Sequence, residues 1–289
     1  MKNLPMTLCA LIAGTALVLG TAPGAFAAET DPQPAKDKRV RDDSDPDLPQ
    51  SSHTVHGGNG EDDLQGTDGS DILTGEGGDD HINGGDGDDE LTGGSGNDHI
   101  QGGAGNDKIN GGIGNDRMNG GEGNDTIRGG DGDDHINAGD GDDHIFGGDG
   151  RDILEANPGK DEIQGGAGDD IIIGGEDGDD MRGNEGADTF MWLTEHNTGG
   201  VDSIRDFDVR EGDKLDFTEM LARHGYRGDG SWESIKNRLR AKGSIIQYDP
   251  TGKGDAFADL VELKKVTPDL KKWLASGNLI VVGGGKKAD

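Results

Sequence analysis

Fifteen aspartates recur every nine residues along the middle of this chain: Asp62, Asp71, Asp80, Asp89, Asp98, Asp107, Asp116, Asp125, Asp134, Asp143, Asp152, Asp161, Asp170, Asp179 and Asp188. Each stands sixth in a nonapeptide, behind glycines that fill position one in thirteen units and position four in fourteen. Representative units are GGSGNDHIQ (93–101), GGAGNDKIN (102–110) and GGDGDDHIN (129–137). Aspartate carboxylates and the uncovered carbonyls of glycine are hard oxygen donors, a set that suits Ca2+. Zn2+ would call for Cys and His at fixed spacing. Cys9 is the one cysteine, and His enters the repeats only at some seventh positions.

The elements that position these oxygens follow from the same unit. Glycine tolerates positive φ, so the first six residues can make a tight turn. Positions seven to nine then form a three-residue strand with one inward apolar side chain between two outward ones. Position eight is apolar in all fifteen units, mostly Ile or Leu, with Met118, Met181 and Phe190 as variants. Turn, strand, turn, strand makes an 18-residue coil, and stacked coils bury position eight as a thin core. One unit cannot stand alone and needs neighbours. His81, His99, His135 and His144 share position seven and face outward, as solvated strand residues or as a ladder for a transition metal.

Composition narrows the classes. The chain has 289 residues, 56 glycines, 29% hydrophobic residues and a net charge of −32. Leu, Ile, Val and Phe make up about 18%, below the roughly 20% at which high charge predicts disorder. An ordinary globular enzyme is disfavoured, and so is a nucleic-acid binder, because acid repels phosphate. Residues 57–191 hold 36 acidic and 6 basic residues, a net of −30, so nearly all the excess charge lies in the repeats. What remains is disorder or a fold that recruits cations.

The block 57–191 resembles the repeats-in-toxin (RTX) nonapeptide family, G-G-x-G-x-D-x-U-x with U a large apolar residue, in fifteen consecutive copies. The resemblance implies an all-β fold: a parallel β-roll, a calcium-binding solenoid, with each position-six Asp joining glycine-turn carbonyls around Ca2+. An ion would sit between repeats n and n+2, giving at most about 13 sites. Units 156–164 (ANPGKDEIQ) and 174–182 (GGEDGDDMR) depart most, and the sites beside them are expected to be the weakest. Without cations the block should not offset its ordering entropy, so the expected behaviour is folding on Ca2+ outside the cytoplasm.

The flanks read differently. Lys2, the apolar run Leu8–Gly20 and the small-x-small Ala25-Phe26-Ala27 predict a signal peptide over 1–27. Residues 28–56, proline-bearing and of mixed charge, predict a disordered linker. No other run is long enough to enter a bilayer. From 192 to 289 the charge balances and a small α+β capping unit is expected. Short strands are expected within Val201–Phe217, helices over Thr218–His224, Ser231–Lys242 and Pro268–Ala275, and strands at Ser244–Tyr248, Asp259–Val266 and Asn278–Val282. The segments ADTFMW (187–192), DSIRDFD (202–208), EGDKLDF (211–217), ADLVEL (258–263) and LASGNLIVV (274–282) resemble the target domain of type I secretion substrates. Such substrates generally lack a cleaved leader, so this resemblance and the N-terminus point to different export routes that both end outside the cell.

No H-E-x-x-H or G-x-S-x-G motif is present. The leading expectation is a secreted, non-enzymatic Ca2+-binding protein with a structural, matrix or cell-surface interaction role. Its expected partners are calcium ions and cell-surface or matrix polysaccharide, with no nucleic acid and no stable membrane span. The alternative is an extracellular enzyme, or an accessory module of one, acting on acidic polysaccharide.

Overall fold

The nine-residue period becomes an alternation between two parallel sheets. The computed structural model describes residues 52–193 and 200–281. Successive repeats go to opposite sheets, so strands 18 residues apart pair in register: His81 faces His99, Ile82 faces Ile100 and Asn83 faces Gln101. One sheet has 12 strands and the other 10, and both continue from the roll into the C-terminal unit.

The strands are six residues long, not three; His81–Asp86 and Lys108–Ile113 are typical. Each spans positions seven to nine and then one to three of the next unit. The ladder resumes after the position-one glycine, as in the pairing of Gly85 with Gly103. The position-two residue bends the chain at positive φ without leaving the sheet. Glu76, Asn157 and Asn184 adopt that conformation where glycine is replaced; Thr67 does not, and its strand, Asp63–Gln65, stops at three residues. The turn proper is therefore only positions four to six.

The first strand, Thr54–Asn59, begins inside the segment assigned by sequence to the linker, which corrects that boundary by three residues. The reason is packing. Val55 occupies the position-eight place of a preceding half-unit and is buried against the stack. The signal-peptide segment and the rest of the linker lie outside the described residues.

Position eight forms one continuous file from Val55 to Phe190 and onward through Ile204 and Leu215. Aromatic side chains then plug the open end. Phe207 lies 6.2 Å from Phe190 and 5.2 Å from Trp273, and Trp192 lies 4.6 Å from Phe217, ring centre to ring centre. This uncharged end layer meets the need of a solenoid to cover its last coil.

The C-terminal unit follows expectation in most elements. Strands Asp202–Ile204 and Lys214–Asp216 extend the two sheets. Helices form at Thr218–Arg223 and Leu270–Ser276, the latter ending on Gly277 in the left-handed conformation. The helix predicted over Ser231–Lys242 is corrected. Ser231 does cap a helix, but only Trp232–Ile235 is helical, and Leu239–Lys242 is a strand antiparallel to Ile245–Tyr248. Gly243, at φ 66°, supplies the turn between them, so sheet pairing overrides the helical spacing. No helix among the described residues is long and apolar enough to cross a membrane.

Candidate metal centre

All fifteen position-six aspartates are buried, at 6% exposure or less, on the two turn edges of the roll. The structure brings them together as two ladders rather than as one cluster. In each, a backbone N–H donates to Oδ1 of the aspartate 18 residues on: Asp62 to Asp80, Asp71 to Asp89, and so on to Asp170 with Asp188. The bonds measure 2.8, 2.7 and 3.0 Å in those three cases. Repeats n and n+2 are thus joined through the aspartate itself.

The second oxygen is treated differently. From Asp80 to Asp188, thirteen Oδ2 atoms are buried and accept no hydrogen bond. A buried acceptor without a partner costs about 1–3 kcal/mol, more when charged. Burial is the main cause that drives these carboxyls upward, partly offset by the backbone bond at Oδ1 and reinforced in most of them by neighbouring aspartates. Asp89, Asp125, Asp134 and Asp170 are pushed up to about 7, and Asp179 to about 8.

Glycine at position one makes the space these oxygens face. A Cβ built on Gly93 would collide with Asp98 Oδ2 and with the carbonyl oxygen of Gly111, one coil further on. The same pair of oxygens flanks Gly75, Gly84, Gly102, Gly111, Gly120, Gly129, Gly147 and Gly165, so nine bare Oδ2 atoms each share a glycine cradle with the position-one carbonyl of the next coil. A row of bare carboxylate oxygens, each beside a backbone carbonyl and with no nitrogen or sulfur donor, fits hard divalent cations.

Four of the thirteen lack one feature. Ala138 and Ala156 carry a buried methyl where Asp143 and Asp161 would otherwise have glycine. At Gly174 and Gly183 the nearest atoms belong to Asp179 and Asp188 themselves, and no carbonyl of a neighbouring coil stands as close. The two irregular units singled out by sequence both fall here. Their aspartates nevertheless stay in the ladder, with Asp161 N–H on Asp179 Oδ1 at 3.1 Å.

The ladders end in groups the sequence reading missed. Asp179 N–H donates to Asp202 Oδ1 and Asp188 N–H to Asp213 Oδ1, both at 3.2 Å. Asp202 Oδ2 accepts the Trp192 indole N–H at 2.8 Å, and Asp213 Oδ2 accepts the Asp208 N–H at 2.7 Å. At the other end Asp71 Oδ2 accepts Thr67 N–H and Oγ1–H. The row of bare oxygens is therefore closed by protein donors where it runs into the C-terminal unit and at Asp71. The signal was present in Asp202-Ser203-Ile204 and Asp213-Lys214-Leu215, which repeat the D-x-apolar triplet out of nine-residue phase.

A second ladder runs outside the first. Asn97 N–H donates to Asp79 Oδ1, Asn115 to Asn97 and Asp133 to Asn115, with reversed polarity. Position five on the other edge does the same through Asn106, Asn124 and Asp142. These amides staple the coils without any ion. No group of three or more His, Cys, Asp or Glu side chains gathers around one point among the described residues.

Residues 56–91, 83–118, 92–127, 119–154 and 155–190 match the family model for the RTX calcium-binding nonapeptide repeat (4 copies). Among solved structures, the AlgE6R3 subunit from the Azotobacter vinelandii mannuronan C5-epimerase is similar at 18% identity, over 84% of this chain and 93% of that chain, with a TM-score of 0.22. No curated protein matches the chain.

Proposed function

Because residues 56–190 belong to the RTX calcium-binding nonapeptide-repeat family, we propose that this chain is a secreted protein that folds on Ca2+ and serves a structural, matrix or cell-surface interaction role. The β-roll is a calcium-binding element, and RTX repeat proteins are typically secreted. The observation that carries the reading is the row of thirteen buried Oδ2 atoms without a protein donor. In this reading the position-six aspartates are the ligands, with nine glycine-lined cradles as the best-formed sites and thirteen as the ceiling. The role in this reading is non-catalytic, since the fifteen position-six carboxylates are assigned to cation binding rather than to acid–base work.

Polysaccharide is the partner class this reading favours. On the outer face of the 12-stranded sheet, the Arg128 guanidinium lies over the Phe146 ring at 4.9 Å. Lys108 stands diagonally across from Arg128, since Asn110 is its register partner and Lys108 shares that strand. Neither cation forms an ion pair among the described residues. A guanidinium stacked on an aromatic ring, with a second cation diagonally beside it, suits the acidic groups of a polysaccharide.

The test is far-UV circular dichroism of the chain during a Ca2+ titration, with Mg2+ as control. A cooperative coil-to-β transition with Ca2+ alone is expected. A β-rich spectrum in chelator at pH 7, or coil in millimolar Ca2+, overturns the proposal. Ca2+-dependent retention on acidic polysaccharide is expected for the interaction role, whereas hydrolase or lyase activity of the purified chain would replace that role with the enzymatic one.

A further inference from the structure

The histidines of the roll divide by what faces them. His53, His56 and His144 each have a carboxylate within 4 Å: Asp71 at 3.7 Å, and Glu76 and Glu162 at 3.9 Å. His81 and His99 face each other instead. They are register partners on adjacent parallel strands, with ring centres 5.5 Å apart and planes tilted by 37°. Both are exposed at position seven, and neither imidazole has a hydrogen-bond or ion-pair partner among the described residues. Their row continues to Asp63 beyond His81 and to Arg117 beyond His99.

Placing two imidazoles side by side with no carboxylate between them is unfavourable when both are protonated, as for any like-charged cross-strand pair. It is favourable when both are neutral and turn their nitrogens to one cation. The fixed strand spacing of about 4.8 Å lets two position-seven rings reach a shared ion by side-chain rotation alone. We propose that His81 and His99 form a surface site for a divalent transition cation of the Zn2+ class, separate from the calcium ladders. One nitrogen from each ring binds, and water or an external donor fills the remaining positions. Imidazole selects such ions over Ca2+, which takes oxygen, so the two systems on one roll do not compete. Asp63 adds negative charge at the open end of the row. His135 lies two strands beyond His99 with Arg117 between them, and takes no part.

The test is Zn2+ calorimetry on the full chain saturated with Ca2+, comparing His81→Asn, His99→Asn and His135→Asn. One equivalent is expected in the unaltered chain, lost in each of the first two variants and kept in the third. Far-UV circular dichroism in Ca2+ checks that each variant keeps the roll. In the unaltered chain, Zn2+ is expected to shift the ring resonances of two histidines. Uptake that survives His81→Asn or His99→Asn, that is lost equally with His135→Asn, or that releases Ca2+ overturns the site. So does a shift of no histidine resonance, or of all of them.

Discussion

A ladder aspartate has one oxygen satisfied by a backbone N–H and the other buried bare, so its neutral form is favoured in the cation-free roll. The folded pKa values, about 6 at Asp80 and Asp116, about 7 at Asp89 and about 8 at Asp179, lie above the ordinary value near 3.9. Folding without Ca2+ therefore takes up protons. Its contribution is fully present below the ordinary carboxylate range and is lost as pH rises through about 6 to 8. In chelator, β signal by circular dichroism is expected to grow as pH is lowered from 7 toward 4. A flat profile contradicts the burial account. Substitution separates charge from shape at the same atom. Asp125→Asn keeps the Oδ1 acceptor and removes the anionic ligand, so the Ca2+ midpoint should rise and the bound count fall in calorimetry. Losing one site at ten times its Kd costs about 1.4 kcal/mol. Asp202→Asn, beside the Trp192 indole, should leave the count unchanged.

Elements show what spacing reveals and what it hides. The fifteen-fold Asp and the position-eight file were legible because each repeats without a phase slip from Gly57 to Met191. The six-residue strands were not, because glycine reads as turn while its backbone still pairs across 18 residues, as Gly112 does with Gly130. Asp202 and Asp213 were hidden for another reason. Their ladder bonds span 23 and 25 residues rather than 18, so periodicity stops before the geometry does. The strand at Leu239–Lys242 was masked by helical spacing that only a paired partner, Ile245–Tyr248, overrules. Trp192→Phe tests the closure of the ladder. It keeps an aromatic ring near Phe217 and strips the donor from buried Asp202 Oδ2. Unfolding by denaturant in saturating Ca2+ should show a loss of about 1–3 kcal/mol. No loss would mean that the indole bond is incidental.

The whole molecule combines a core one side chain wide with a block charge of −30 over residues 57–191. Neither the apolar file nor the outer amide ladder neutralises that charge, which leaves bound cations as the balancing term. Both ladders and both sheets run without interruption into the C-terminal unit, whose aromatic side chains seal the last coil. That continuity makes the unit part of the stacked roll rather than an appendage. A chain ending at Trp192 would leave Phe190 open to water and strip the Asp179 and Asp188 N–H groups of Asp202 and Asp213. Coils next to that end would lose their template, and in the proposed reading each Ca2+ site needs two ordered coils. The truncated chain is therefore expected to need a higher Ca2+ concentration for its β transition, or to remain coil in millimolar Ca2+. A titration curve that superimposes on that of the full chain would instead show that the coils order independently of their seal.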